Sequence, residues 1–304
     1  MRNTFADTFY EAGKHDRRLA VVVADISPAG SIAKFREDFP DRFINTGVAE
    51  QVMIGLAAGM AQRGMRPFAY TIATFTLFRP YEMIRDDLCY QNLPVTVVGI
   101  GGGVTYSTLG ATHHAQEDIA LACGLPNMAV IAPCDPLEAK AATLWCTTQT
   151  RGPVYLRLAK AGEPVLTETA AEPWEFGKLR TLQRGRDVAI IAYGPIMKMA
   201  MEVARNLEAS GKSVSVFSCH TVKPLDRPGI EAALRDHAQV VVIEETAPNG
   251  ALGMQVKAIA WEIRAGCRLD TFALDDAFHH VYGSHDELLA VHGLSASAIL
   301  AGIA

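Results

Sequence analysis

Residues 42–72, RFINTGVAEQVMIGLAAGMAQRGMRPFAYTI, join a short β-prone run (RFINTG), small and apolar residues at helical spacing (AEQVMIGLAAGMAQRG) and a second β-prone run (RPFAYTI). Strand, helix and strand in that order are the repeating unit of a parallel sheet covered by helices. A single acidic residue, Glu50, stands inside the small, apolar part. A carboxylate among apolar groups is costly unless something binds it. It could simply serve the helix start, since the helix dipole favours acidic groups in a first turn.

The same alternation runs outward from this unit. Upstream, LAVVVADIS (19–27) reads as a strand. Downstream come helix PYEMIRDDLCYQ, strand LPVTVVGIG, helix EDIALACGL, strand NMAVIAP, helix DPLEAKAATLWCTTQ and strand GPVYLRLA, ending at Ala159. Asp135 is the expected N-cap of the last helix, with Pro136 at its first position and Glu138 in the capping-box place. From about Lys160 to Asp187 the periodicity lapses into Pro, Glu, Thr and Gly, and then a second strand and helix series begins at DVAIIAYG and runs to LDTFAL. The expected organisation is an α/β domain over 1–165, a linker over 166–186 and a second α/β domain over 187–304. The fold class is two parallel or mostly parallel sheets flanked by helices.

Composition narrows the function. With 304 residues, 49% of them hydrophobic, the chain can build two cores. Its formal net charge is -5 and its Lys and Arg are scattered, so no basic stripe points to nucleic acid. No apolar run reaches the roughly 18 residues of a membrane span, and MRNTFADTFYEAGKHDRR lacks the apolar core of a signal peptide. The expectation is a cytoplasmic protein without membrane contact. Six cysteines without CxxC spacing suit reduced, buried thiols rather than disulfides or a zinc site. His279 and His280 are adjacent but have no accompanying carboxylate at ligand spacing, so no metal site is expected in this chain.

Seven motifs in order, ADISP, RFINTGVAEQ, TFTLFRPY, LGATHHAQEDIA, PNMAVIAPCDPLEA, GPVYLRLA and HTVKPLD, resemble those of the thiamine-diphosphate transketolases, in particular the C-terminal part of a split transketolase. The resemblance implies a pyrimidine-binding domain followed by a transketolase C-terminal domain. It implies that Glu50 hydrogen-bonds a ring nitrogen of the aminopyrimidine, in a place where burial would raise the pKa of the acid. The ring is then pushed towards its imino tautomer, and its exocyclic nitrogen can take the acidic thiazolium proton. Phe75, Phe78 and Tyr81 match the aromatic residues lining that ring. Their spacing would also suit an ordinary core stripe on one helix face. Asp25 matches an aspartate near the cofactor, although an Asp closing a strand is commonly a turn former. His113 matches a histidine of the substrate channel, able to move protons near neutral pH. His114, beside it, is expected to point elsewhere, and His220 is given no role. Arg157 and Arg2 match arginines that grip an acceptor phosphate, a task the guanidinium fork suits. A surface arginine at a strand end is the plain alternative for Arg157.

The chain also departs from the family pattern. It contains no GDG motif, which the resemblance implies for holding the diphosphate through Mg2+ or Ca2+, and its glycine run GIGGGV is not followed by a helical pattern. An N-terminal transketolase subunit is therefore expected to supply that half, in a heterotetramer with the cofactor between chains. A family histidine that touches substrate falls on Gly101, an aspartate that reads a donor hydroxyl falls on Leu109, and a phosphate-contacting serine falls on Ala29. The usual ketose phosphates are thus in doubt as donors, and Tyr106, Ser107 and Thr108 are candidates for substitute hydroxyls on a sugar or sugar phosphate. The alternatives kept open are a β-type subunit of a 2-oxo-acid dehydrogenase, a deoxyxylulose-phosphate synthase-like enzyme, or a non-catalytic assembly subunit.

Overall fold

In the computed structural model, residues 1–26 and 30–304 are described; Ser27, Pro28 and Ala29, and with them the family's phosphate-contacting position, lie outside the described residues. The first half of the chain contributes six strands: β1 (Leu19–Val23), β2 (Phe43–Asn45), β3 (Arg66–Ile72), β4 (Thr96–Ile100), β5 (Ala129–Ile131) and β6 (Val154–Leu158). The second half adds β7 (Arg180–Gln183), β8 (Val188–Ala192), β9 (Val214–Ser218), β10 (Thr221–Lys223), β11 (Gln239–Ile243) and β12 (Arg268–Phe272). The helices are α1 (Arg2–His15), α2 (Ser31–Asp38), α3 (Glu50–Gln62), α4 (Ala73–Leu77), α5 (Tyr81–Met83), α6 (Asp118–Gly124) and α7 (Pro136–Thr148), then α8 (Met197–Ala209), α9 (Arg227–Asp236), α10 (Leu252–Glu262), α11 (His285–Val291) and α12 (Ala296–Ile303).

The first sheet has the order β10-β5-β6-β4-β3-β1-β2 and is parallel except at β10. Strands β1, β4 and β6 are buried along their whole length, as expected where helices cover both faces. Successive side chains serve opposite cores. Val21, Val23, Phe68 and Tyr70 pack with Phe5 and Phe9 of α1 and Phe35 of α2, whereas Val22, Ala69 and Val97 pack with Met53, Ile54 and Ala57 of α3. The second sheet, β12-β11-β8-β9-β7, is parallel except for β7. Both sheets thus match the expected class.

One connection differs from expectation. β7 lies inside the stretch 166–186 expected as linker, so the second sheet begins earlier than 187. HTVKPLD carries β10, which crosses back and pairs antiparallel with β5, and Lys223 Nζ donates to the Cys123 carbonyl at 2.9 Å at the end of α6. Asp135 caps α7 by accepting from Glu138 N at 2.8 Å, and its other oxygen accepts from Thr167 N at 2.8 Å, which fixes the chain leaving the first domain. Glu138 reaches back to Cys134 N at 2.9 Å rather than to the cap residue itself. The stretch from His285 to Ile303 is long and apolar enough to cross a bilayer by composition alone. It is folded as α11 and α12, whose Leu288, Leu289, Ile299 and Ile303 pack into the second core. All six cysteines are unbridged, four of them buried.

Candidate active site

Glu50 is the one acidic residue of the strand, helix and strand unit. Thr46 N donates to Val23 O at 2.9 Å, and Asn45 Oδ1 accepts from Asp25 N at 3.1 Å and Gly47 N at 3.0 Å, so the turn after β2 is tied to the end of β1. Asp25 itself takes a left-handed backbone, φ 45°, which carboxylate and amide residues tolerate best among non-glycines. The next turn leads into α3, and Glu50 is its first residue. It is 3% exposed. Its side chain makes no capping bond; Oε1 accepts instead from Arg79 Nη1 at 2.8 Å.

Arg79 comes from the aromatic stretch, which is not one helical face. Helix α4 ends at Leu77, and Pro80 separates it from α5. Phe75 stands outside the core against which Phe78 and Tyr81 pack. The Arg79 guanidinium lies 4.2 Å from the Phe75 ring centre, and the His113 ring meets Phe75 edge-on at 5.2 Å. Glu50, Arg79, Phe75 and His113 form one continuous chain of contacts. Phe78 and Tyr81 pack partly against the core that includes α3, and Tyr81 Oη donates to Leu121 O at 3.0 Å.

His113 follows the loop that leaves β4 at the C-terminal edge of the sheet, where ligands collect in parallel α/β folds. Its Nδ1 is bonded to Thr112 Oγ1 at 3.1 Å, which leaves Nε2 available. Gly101 has φ 74°, and a side chain there would come within 2.2 Å of the Tyr106 ring. Tyr106 thus fills the room that the family histidine would need. Its ring lies 6.4 Å from that of His113, and burial raises its pKa. Ser107 is buried, whereas Thr108 and Leu109 are exposed. His114 is 3% exposed and burial lowers its pKa, so it is a neutral ring turned inward. Arg2, at the start of α1, is half-buried with its Nε unpartnered among the described residues, and its charge acts on Tyr106.

Arg157 corrects the sequence reading. It is 3% exposed in the middle of a buried strand, with Nε on Asp118 Oδ2 at 2.8 Å and Nη2 on the Glu245 carbonyl at 2.9 Å. Burial opposes its charge, but Asp118 and its neighbours more than compensate, so its pKa is raised. It is neither a surface arginine nor placed to take a phosphate from solvent; it joins the two domains. The exposed cation at this edge is Lys160, two residues beyond β6, whose Nζ lies 5.2 Å from the Tyr106 ring centre. Sequence reasoning missed it, although a lysine directly after a buried parallel strand was the available signal. His220 is a buried structural ring, stacked on Trp174 at 4.9 Å, and burial lowers its pKa to about 3. A second correction concerns His279: its Nε2 stands 3.3 Å from the Asp275 carboxylate, so a carboxylate does accompany it.

The comparisons place the chain as a whole. Residues 1–162 match the transketolase pyrimidine binding domain and residues 177–299 the transketolase C-terminal domain. A Methanocaldococcus jannaschii protein described as a transketolase C-terminal section is 35% identical over 300 residues, with 98% of this chain and 93% of the relative covered. An Actinobacillus succinogenes protein named as a subunit of apulose-4-phosphate transketolase is 30% identical, with 99% of this chain and 96% of the relative covered. A solved structure described as a split gene transketolase, inactive beta4 tetramer, superposes with a TM-score of 0.87 at 32% identity over 99% of this chain and 96% of that one. The chain belongs to the transketolase family and carries its pyrimidine-binding and C-terminal domains in the manner of a split transketolase's C-terminal subunit.

Proposed function

We propose that this chain acts with an N-terminal partner subunit as a thiamine-diphosphate-dependent transketolase, moving a two-carbon ketol unit from a ketose to an aldose. The observation that carries the reading is Glu50, 3% exposed at the start of α3 and held, among the described residues, only by Arg79, a side chain that is itself 45% exposed. A buried acid whose partner can move away is suited to receive a heterocycle nitrogen. Phe75, edge-on to His113 and outside the packed core clusters, offers an aromatic wall beside it. These residues fit the pyrimidine end of thiamine diphosphate. The sequence has no GDG for the diphosphate end, so Mg2+ or Ca2+ belongs with the partner in this reading. Val48, 72% exposed, and Val52, 59% exposed, flank Glu50 and give the partner an apolar surface to cover.

When bound, thiamine diphosphate would supply a ring carbon that, once its proton is removed, can serve as nucleophile towards a ketose carbonyl. Glu50 holds a proton against the pyrimidine nitrogen once Arg79 has left Oε1. Phe75, with Phe78 and Tyr81 behind it, keeps water from that acid. Asp25 presents its carboxylate at the end of β1 beside the same turn. His113 orients and protonates substrate oxygens through Nε2. Tyr106, Lys160 and Arg2 serve the far end of the sugar, Lys160 and Arg2 as cations for a phosphate. With Tyr106 in the space above Gly101 and Leu109 in place of an acidic reader, the donor is a sugar or sugar phosphate outside the usual ketose phosphates. The relative named for apulose 4-phosphate supports that choice.

The test is reconstitution. Each subunit alone, given thiamine diphosphate and Mg2+, is expected to be inactive towards a panel of ketoses and aldoses, and the pair to turn over. A coenzyme bound tightly by this chain alone would overturn the reading. So would a pair that is inactive with every donor although it assembles and binds coenzyme.

A further inference from the structure

A second cluster of ligating side chains lies in the C-terminal domain. Asp275 and His279 stand in the segment between β12 and α11, and His292 follows the last residue of α11. One ligand atom from each lies within 4.8 Å of the other two. His279 Nε2 is 3.3 Å from Asp275 Oδ2, which matches the edge of about 3.3 Å of a tetrahedron with bonds of about 2.0–2.1 Å. The two imidazoles stand at 86° with ring centres 4.3 Å apart. An independent observation points to a ligand: His292 is 2% exposed and its Nδ1 has no hydrogen-bond partner among the described residues. Buried polar atoms are almost always satisfied, and one that is not requires an explanation.

We propose that Asp275, His279 and His292 bind a divalent transition metal ion of the zinc class, with water completing the coordination. Two imidazoles and one carboxylate favour zinc, or cobalt as its stand-in, over the all-oxygen preference of calcium and magnesium. The role is structural. The ion ties the segment 275–284 to the end of α11, and the same segment lays Tyr282 on Gly110, where an added side chain would come within 2.9 Å of the Tyr282 ring. Gly110 precedes the short turn Ala111–His113, so the metal stiffens the cover over the loop that carries His113.

The experiment uses the full chain, alone and in the reconstituted pair, stripped with a chelator and titrated with Co2+ by visible absorption and with Zn2+ against a chromophoric competitor. One equivalent per chain is expected, with nitrogen and oxygen ligand-field bands, no sulfur-to-cobalt charge transfer, and a higher Tm with metal than without. Asp275→Ala and His279→Ala change exposed or half-exposed side chains and should keep the metal-free Tm of the parent. Each is expected to weaken binding at least tenfold. Absence of stoichiometric binding, sulfur charge-transfer bands, or affinity in both variants equal to the parent's would overturn the proposal.

Discussion

Arg79 holds Glu50 in the chain by itself, and the account requires that hold to be released. The guanidinium competes with the pyrimidine for the same carboxylate oxygen. Arg79→Ala is therefore expected to tighten coenzyme binding by the assembled pair about tenfold, about 1.4 kcal/mol. It should also lower the stability of the free chain by about 1 kcal/mol, a small loss because Arg79 is largely solvated. Titration calorimetry and thermal unfolding measure the two effects, and weaker coenzyme binding would show that Arg79 helps rather than competes. At this scale the motifs singled out Glu50 and His113, which the fold joins through Arg79 and Phe75. It failed at Arg157, because the partner that buries it, Asp118, is 39 residues away and no local pattern reports the pairing.

Among elements, the loop between β4 and α6 depends most on its neighbours. Gly103 has φ 64°, and a Cβ there would meet Glu245 Oε1 at 2.3 Å. Gly103→Ala is expected to cost about 2 kcal/mol or more and to raise KM for the donor, because the displaced loop carries Tyr106 and His113. Thermal unfolding and steady-state kinetics check both, and an unchanged Tm would contradict the close approach. The strands β1, β8 and β11 were readable because near-continuous apolar runs, LAVVV, VAIIA and VVVI, mark buried parallel strands. Helix α1 escapes a reading that starts from apolar runs, although Phe5, Phe9 and Gly13 all lie on its buried face at helical spacing. β7 and β10 have four and three residues and pair antiparallel at sheet edges, so neither carries enough pattern to be read alone.

On the scale of the whole molecule, the C-terminal domain grips the loop between β4 and α6 of the first. Glu245, 1% exposed, accepts from Val104 N at 2.9 Å and pairs with His285 Nε2 at 2.8 Å. The charge of Glu245 raises the pKa of His285; burial pushes Glu245 up, but His285 and Arg157 outweigh it and leave its pKa lowered. The raised His285 contributes stability that is complete below its unfolded value of about 6.5 and is lost as pH rises through the folded value. The depressed Glu245 contributes stability that is present above about 4.5 and is lost as pH falls through its folded value. The clamp is thus firmest between those limits. His285→Gln should destabilise the chain by about 2 kcal/mol near pH 6, less than the roughly 3–5 kcal/mol of a fully buried pair because His285 is 31% exposed. It should also flatten the fall in Tm between pH 6 and 9; a variant with the parent's pH slope would remove His285 from the clamp. None of this was legible in the sequence, since the contacts join residues 40 to 141 apart.

The most direct test of the central claim is the turnover of a ketose donor by the reconstituted pair with Glu50→Gln in this chain. The account predicts an unchanged assembly and Tm, with kcat lower by about a thousandfold. A variant pair that keeps the parent's kcat would contradict it.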